Sequence, residues 1–269
     1  MTSTSYLLAD QASELERLQR QSRVWEPAGR RLLEQIGTGA GARALDVGCG
    51  AMGWLRLLSE WVGPQGTVTG TDIDGKMLSA ADAFVASEGL GNVALIEDDL
   101  FATDLEPASF DLVHARFQLS PLGRADEQMA AYLRLVRPGG TVVLEDVDAG
   151  SWHLLPPAPA VDERLIPLLA QAFDTAAGGQ AGLILPRVFR DADIEPVVRA
   201  EVQALEPGHP YLQLPLQFAS GLDGLLRTLV DGDELDRILE EAEIELADPD
   251  RWGLTFTLVQ TWGQRPAEL

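Results

Sequence analysis

Residues 45–54, Leu-Asp-Val-Gly-Cys-Gly-Ala-Met-Gly-Trp, place a carboxylate, Asp46, two positions ahead of glycines at 48, 50 and 53. A glycine-rich turn that closes a strand and opens a helix aims free backbone N–H groups at a ligand. In such a turn Gly48 permits the sharp bend, Gly50 lets a ligand approach the backbone, and Gly53 allows the following helix to pack closely. Asp72, at the end of the next apolar run, is suited to gripping ribose hydroxyls.

These features fit NAD as well as S-adenosylmethionine, and Asp46 separates the two. Its charge would oppose a pyrophosphate but attract the ammonium and sulfonium of S-adenosylmethionine; a carboxylate that only hydrogen-bonds its own turn is the alternative reading. Of the three histidines, His153 follows the fifth strand, at the edge where open α/β sheets bind ligands, and is the candidate general base. His114 lies inside the fourth strand and reads as a core histidine, while His209 sits in a turn, Pro-Gly-His-Pro-Tyr.

The elements that must position these groups follow from periodicity. Residues 12–36 carry apolar positions at helical spacing with a break near Pro27, which predicts two helices meeting at an elbow. From residue 44 to 147 five short strands alternate with helical segments, predicting a parallel sheet covered on both faces. Pro138-Gly139-Gly140 reads as a turn between a helix and the fifth strand. The proline-rich stretch 154–161 reads as a boundary loop. Helices are expected over 161–177, 186–194, 216–230 and 233–246, and strand-like runs at 196–205 and 252–263 would close the sheet.

The 269-residue chain can bury a full core, and its formal net charge of -22 disfavours nucleic acid and anionic lipid surfaces. A single cysteine, Cys49, excludes an internal disulfide, and no residue cluster calls for a metal. The first twenty residues lack a signal-peptide pattern and no apolar run is long enough to span a bilayer, so a soluble cytoplasmic protein is expected. The excess of arginine over the lone Lys76 hints at a bacterial source. Oligomeric state is left open.

Four landmarks in order, LDVGCGAMG, GTDIDGKML, EDDLFATDLEPASFDLVHARF and LRLVRPGGTVVLED, make residues 40–150 resemble the class I S-adenosylmethionine-dependent methyltransferases. The resemblance implies an α/β, Rossmann-like, seven-stranded and mostly parallel sheet with helices on both faces, its last strand antiparallel, plus a partly helical cap. It divides the chain into N-terminal helices over the cofactor site (1–37), a cofactor-binding core (38–150), and acceptor-binding cap insertions with the closing strands (151–269).

By the same resemblance Asp46, Gly48 and Gly50 hold the methionine part of the cofactor and Asp72 takes the ribose. Ile73 and Met77 flank the adenine. Asp99, backed by Leu100, meets the adenine amino group, with Asp98 as the competing register, and Ala115 and Arg116 line the cofactor. Arg116 in a structural ion pair is the alternative. The segment around Tyr6 looks like one that folds over the cofactor, with Arg17 and Gln21 as further polar candidates. Gly53 stands one residue later than the third glycine of many family members.

An acceptor would meet Trp152, Phe173, Tyr211 and Phe218, although core packing also accounts for these aromatics. An apolar, partly aromatic cap implies a small organic acceptor, such as a secondary metabolite or quinone. The competing functions are a methyltransferase-fold enzyme catalysing cyclisation or rearrangement, an NAD-dependent oxidoreductase, and a binding-only protein.

Overall fold

The structure, a computed structural model, describes residues 14–176 and 180–267. Tyr6 lies outside them. The chain enters through α1 (Glu14–Ile36), a single helix where an elbow was expected. Pro27 removes one hydrogen bond inside it, yet Trp25, Ala28, Leu32 and Leu33, on both sides of the proline, are buried and carry the helix through.

The core then runs β1 (Arg43–Val47), α2 (Leu55–Val62), β2 (Thr67–Asp72), α3 (Gly75–Glu88), β3 (Val93–Glu97), β4 (Phe110–Arg116), α4 (Leu119–Leu122), α5 (Ala125–Leu135) and β5 (Val136–Asp148). Pro138-Gly139-Gly140, expected as a turn, lies within β5. A Cβ on Gly140 would press on the backbone of Asp111, so glycine lets the strand pass there.

Beyond β5 come β6 (His153–Leu155), a π-helical stretch Pro159–Leu165, α6 (Ile166–Ala176), α7 (Ala181–Asp191), β7 (Val197–Glu201) and β8 (Ala204–Leu205). The chain finishes with α8 (Leu214–Gly221), α9 (Asp223–Leu229), α10 (Gly232–Leu246), β9 (Trp252–Leu254) and β10 (Thr257–Gln264). The expected helix 216–230 is thus divided at Leu222, and the one at 186–194 starts earlier.

The main sheet has seven strands in the order β3-β2-β1-β4-β5-β10-β7, parallel except for β10, which is antiparallel to both neighbours. A second antiparallel sheet, β6-β9-β8, was not expected. Each late strand-like run supplies one strand to each sheet. The chain changes sheets at Thr255 and Phe256, where Thr255 and Gln203 exchange two hydrogen bonds of 3.0 Å. The stretch read as a boundary loop begins with two residues of β6.

Period-two alternation divides the core. Ala44, Leu112, Val143 and Trp262 face α1 and α2, whereas Leu45, Val113, Ala115, Val142 and Leu144 face α5 and α7. A third apolar cluster fills the cap and takes in Trp25 of α1, so the N-terminal helix belongs to both layers. Strands β1, β2 and β3 step to one side and β4 and β5 to the other, which opens a crevice at the carboxyl ends of β1 and β4. No helix among the described residues is long and apolar enough to cross a membrane.

Candidate cofactor and acceptor site

The glycine turn leaves β1 at this crevice. Gly50 has φ +55, a Cβ there would meet open space, and its N–H donates to Asp72 Oδ2 at 2.8 Å. The backbone at this point is both open on one side and fixed by the acid of the next strand. Gly53 has φ +42, and a Cβ on it would collide with the Asp46 carboxylate. That explains the late third glycine: position 53 makes room for Asp46, whose Oδ2 accepts from Trp54 N–H at 2.7 Å.

Asp72 is half-buried, and its Oδ1 accepts from Asp74 N–H at 2.9 Å. Burial raises its pKa, against the lowering effect of the two backbone donors. Beside it Ile73 is 69% exposed, an apolar surface at a sheet edge, and Met77 is half-buried on α3. Asp98 donates its N–H to Asp72 O at 3.0 Å. Asp99 is exposed with Oδ1 accepting from Phe101 N–H at 2.9 Å, and Leu100 is buried. Asp46, Gly48, Gly50, Asp72, Ile73, Met77, Asp99 and Leu100 therefore gather along the ends of β1, β2 and β3.

Asp46 does not open onto the crevice. It is buried, and its Oδ1 lies 2.7 Å from His114 Nδ1, so both oxygens are engaged and it acts through the turn it braces. His114, read as a core histidine, is buried at 1% exposure but bridges two acids, with Nε2 3.1 Å from Glu145 Oε2 and its ring stacked on Trp54 at 3.8 Å. Glu145 Oε1 accepts from Gln260 Nε2 at 2.6 Å, and Arg116 Nη1 stands 4.0 Å from Oε2. Asp46, His114, Glu145 and Gln260 come from four neighbouring strands: Asp46 pairs with His114 and Glu145 with Gln260, while Glu145 stands two residues beyond Val143, the partner of His114.

Burial alone would lower the His114 pKa, but the hydrogen bonds and charges of Asp46 and Glu145 outweigh it and raise it. Burial would likewise raise Glu145, and His114, Arg116 and Gln260 hold it low instead. The row thus alternates acid, imidazole, acid and guanidinium, so that each buried acid faces a nitrogen of the imidazole and the second also faces Arg116. Asp146, one residue on, is buried and pushed up to about 7 by desolvation, although Ser120 and Val147 N–H groups donate to it.

At the end of β4 the chain turns through Phe117 with φ +58, a conformation an aromatic residue adopts only under constraint. Phe117 N–H donates to Glu145 O at 2.9 Å, and the Gln118 side chain lies against Gly48. Neither residue stood out in the sequence. Ala115 is buried beneath the sheet, and Arg116 reaches α1, donating from Nη2 to Ser22 Oγ at 3.1 Å.

The four aromatics expected at an acceptor meet in the cap cluster. Trp152 lies 6.0 Å from Tyr211, and Phe173 contacts Phe218 edge-on at 5.1 Å. Arg17 donates to Gln21 at 2.7 Å and stacks over Phe218 at 5.4 Å. Trp25 and Phe256 join the same cluster, which no local motif announced. His153 stands apart: its ring is 54% exposed, 3.2 Å from Asp162, a carboxylate that also accepts from Leu154 and Ala158 N–H groups. His209 caps a short helix, its Nδ1 accepting from Tyr211 N–H at 3.1 Å.

Comparison with known proteins agrees with the geometry. Residues 44–140 match a methyltransferase domain model. The chain is 38% identical to nocamycin O-methyltransferase of Saccharothrix syringae over 120 residues, 45% of this chain and 43% of that protein. It is 36% identical to demethylmenaquinone methyltransferase of Geobacillus kaustophilus over 115 residues, 42% of this chain and 49% of that one. The chain spans less than half the length of these curated relatives.

Among solved structures, the YcgJ protein of a Bacillus species aligns with TM-score 0.60 at 16% identity, covering 89% of this chain and 98% of that one. Phosphoethanolamine N-methyltransferase 2 of Haemonchus contortus, solved with S-adenosylhomocysteine, aligns with TM-score 0.59 at 16% identity, covering 99% and 61%. With the glycine turn, the Asp72 brace and the strand order, these matches identify residues 44–140 as an S-adenosylmethionine-binding domain of the class I S-adenosylmethionine-dependent methyltransferases.

Proposed function

We propose that the chain transfers the methyl group of S-adenosylmethionine to a small organic acceptor held between α1 and the cap. The observation that carries this reading is the turn at Gly50, open above its backbone and tied to Asp72, with the exposed Ile73 beside it. The names of the sequence relatives support it, one an O-methyltransferase named for nocamycin and one named for demethylmenaquinone.

In this reading Gly48 and Gly50 hold the methionine part, Asp72 the ribose, and Ile73 and Met77 the adenine faces. Asp99 and Leu100 close the adenine edge. Bound S-adenosylmethionine supplies a methyl group already activated on a sulfonium. What remains for the chain is alignment and exclusion of water. Asp46 and Trp54 fix the turn from below, and Trp25, Tyr211, Phe117 and Phe256 provide a dry wall on the acceptor side. An electron-rich acceptor needs no general base here, in keeping with the exposed position of His153.

The test is incubation of the protein with S-adenosylmethionine and a panel of phenols, hydroquinones and aromatic acids, followed by product mass. Gain of one methyl group on an acceptor is expected. Conversion of an acceptor without that gain would contradict the reading.

A further inference from the structure

The wall between α1 and the cap contains more hydrogen-bond donors than acceptors. Among the described residues, Trp152 Nε1 and Arg116 Nη1 are buried without a hydrogen-bond partner, and so are Trp25 Nε1 and Tyr211 Oη apart from each other: the indole N–H faces the tyrosine oxygen, which leaves the hydroxyl proton as the free donor of that pair. An orphaned buried donor is costly, more so when charged, so this concentration in one neighbourhood requires an explanation.

They are in one neighbourhood because the rings form a continuous chain. Trp25 stacks on Phe256 at 5.4 Å, Phe256 meets Tyr211 edge-on at 6.4 Å, and Tyr211 lies 6.0 Å from Trp152. Phe117 meets Phe256 at 6.0 Å, and the Arg116 guanidinium lies over Phe117 at 5.5 Å. The two indoles and the guanidinium can only donate. Burial pushes the Tyr211 hydroxyl up to about 12, so it also keeps its proton at neutral pH. Glu145, the nearby acid, already accepts from Gln260 and meets His114, which leaves Arg116 Nη1 4.0 Å away from it.

We infer that Arg116 and Tyr211, with Trp25 bracing the tyrosine oxygen, form a recognition site for an oxyanion, a carboxylate or an ionised hydroxyl, carried by an aromatic acceptor. The inference rests on the methyl-transfer reading for the word acceptor, and it reassigns Arg116 from the cofactor to the acceptor side. The overall charge of -22 acts at long range and is screened, whereas donors in a dry aromatic enclosure act at contact distance. The aromatic rings give the apolar body of the ligand its surface, and the donors read the charged end.

Benzoate and benzamide, equal in shape and different in charge, are the probes. Each is titrated against tryptophan fluorescence, with and without S-adenosylhomocysteine, on the wild-type protein and on Arg116→Met and Tyr211→Phe. Benzoate should bind about tenfold more tightly than benzamide, and the preference should fall below about threefold in both variants while S-adenosylhomocysteine affinity holds. Tyr211→Phe removes one oxygen and keeps the ring, so it stands as the test if Arg116→Met does not fold. Equal binding of the two probes, binding of neither, or a preference that survives in the variants would overturn the oxyanion site. Failure of S-adenosylhomocysteine to bind overturns the methyl-transfer reading instead, and the titrations without it still decide the oxyanion site.

Discussion

The two sides of the crevice stand at the same edge of the same sheet and are built in opposite ways. On the β1–β2 side the proposed cofactor surface is backbone: the open turn at Gly50, an acid that braces it, and an exposed isoleucine. On the β4–cap side the surface is side chain, a closed run of aromatic rings around Arg116. Backbone sites suit a ligand common to a whole family, because glycine and a carboxylate suffice to make them. Side-chain sites can be rebuilt for each acceptor without disturbing the fold. The Asp46–His114–Glu145 row joins the two, reaching Trp54 N–H at one end and the neighbourhood of Arg116 at the other.

Breaking that row should have the largest effect. His114→Leu leaves two buried acids facing an apolar group, and loss of about 3–5 kcal/mol in unfolding free energy is expected by denaturant titration. The pH profile sharpens the point. The raised His114 pKa contributes stability that is fully present below the unfolded value of 6.5 and is lost as pH climbs through the folded value. The lowered Glu145 pKa contributes stability present above 4.5 and lost as pH falls through the folded value. Asp146, raised from 3.8 to about 7, withdraws stability as pH rises between those values. Melting temperature should therefore peak in mild acid and decline toward alkaline pH, and His114→Leu should shed the part of the decline above neutrality.

On the backbone side, Asp72→Ala removes the acceptor of Gly50 N–H together with the proposed ribose contact. S-adenosylhomocysteine should bind about 100-fold more weakly, with little change in benzoate binding. An unchanged cofactor affinity would mean the turn is held by something other than Asp72. The smallest effect belongs to His153→Gln: with the ring exposed and held by Asp162, turnover should change by less than about twofold. A collapse of turnover in that variant, with a shifted pH profile, would make His153 the general base and place the acceptor nearer the small sheet.

The same division explains what was legible in the sequence. The β1–β2 side was readable as structure because each of its parts is local: a glycine turn after a strand, an acid after the next, a methionine on the first turn of the helix that follows. The five core strands were visible for the same reason. The sheet switch at Thr255 and Phe256 was hidden, since an apolar run carries its period through a change of partner strand. Pro27 looked like a helix end because proline forfeits a local bond, while the compensation, buried Trp25 and Leu32, is tertiary. His114 was correctly placed in the core, but its acids come from β1 and β5, 68 and 31 residues away, and only the strand register joins them. Trp25, Phe117 and Phe256 escaped notice because they converge from three distant elements.

The most direct measurement is calorimetric titration of the wild-type protein with S-adenosylmethionine, S-adenosylhomocysteine and NAD under one buffer condition. Micromolar binding of both sulfur ligands with no heat from NAD is the result expected of an open turn that ends beside Asp72 and Ile73. Binding of NAD alone would contradict it and make the glycines a pyrophosphate site.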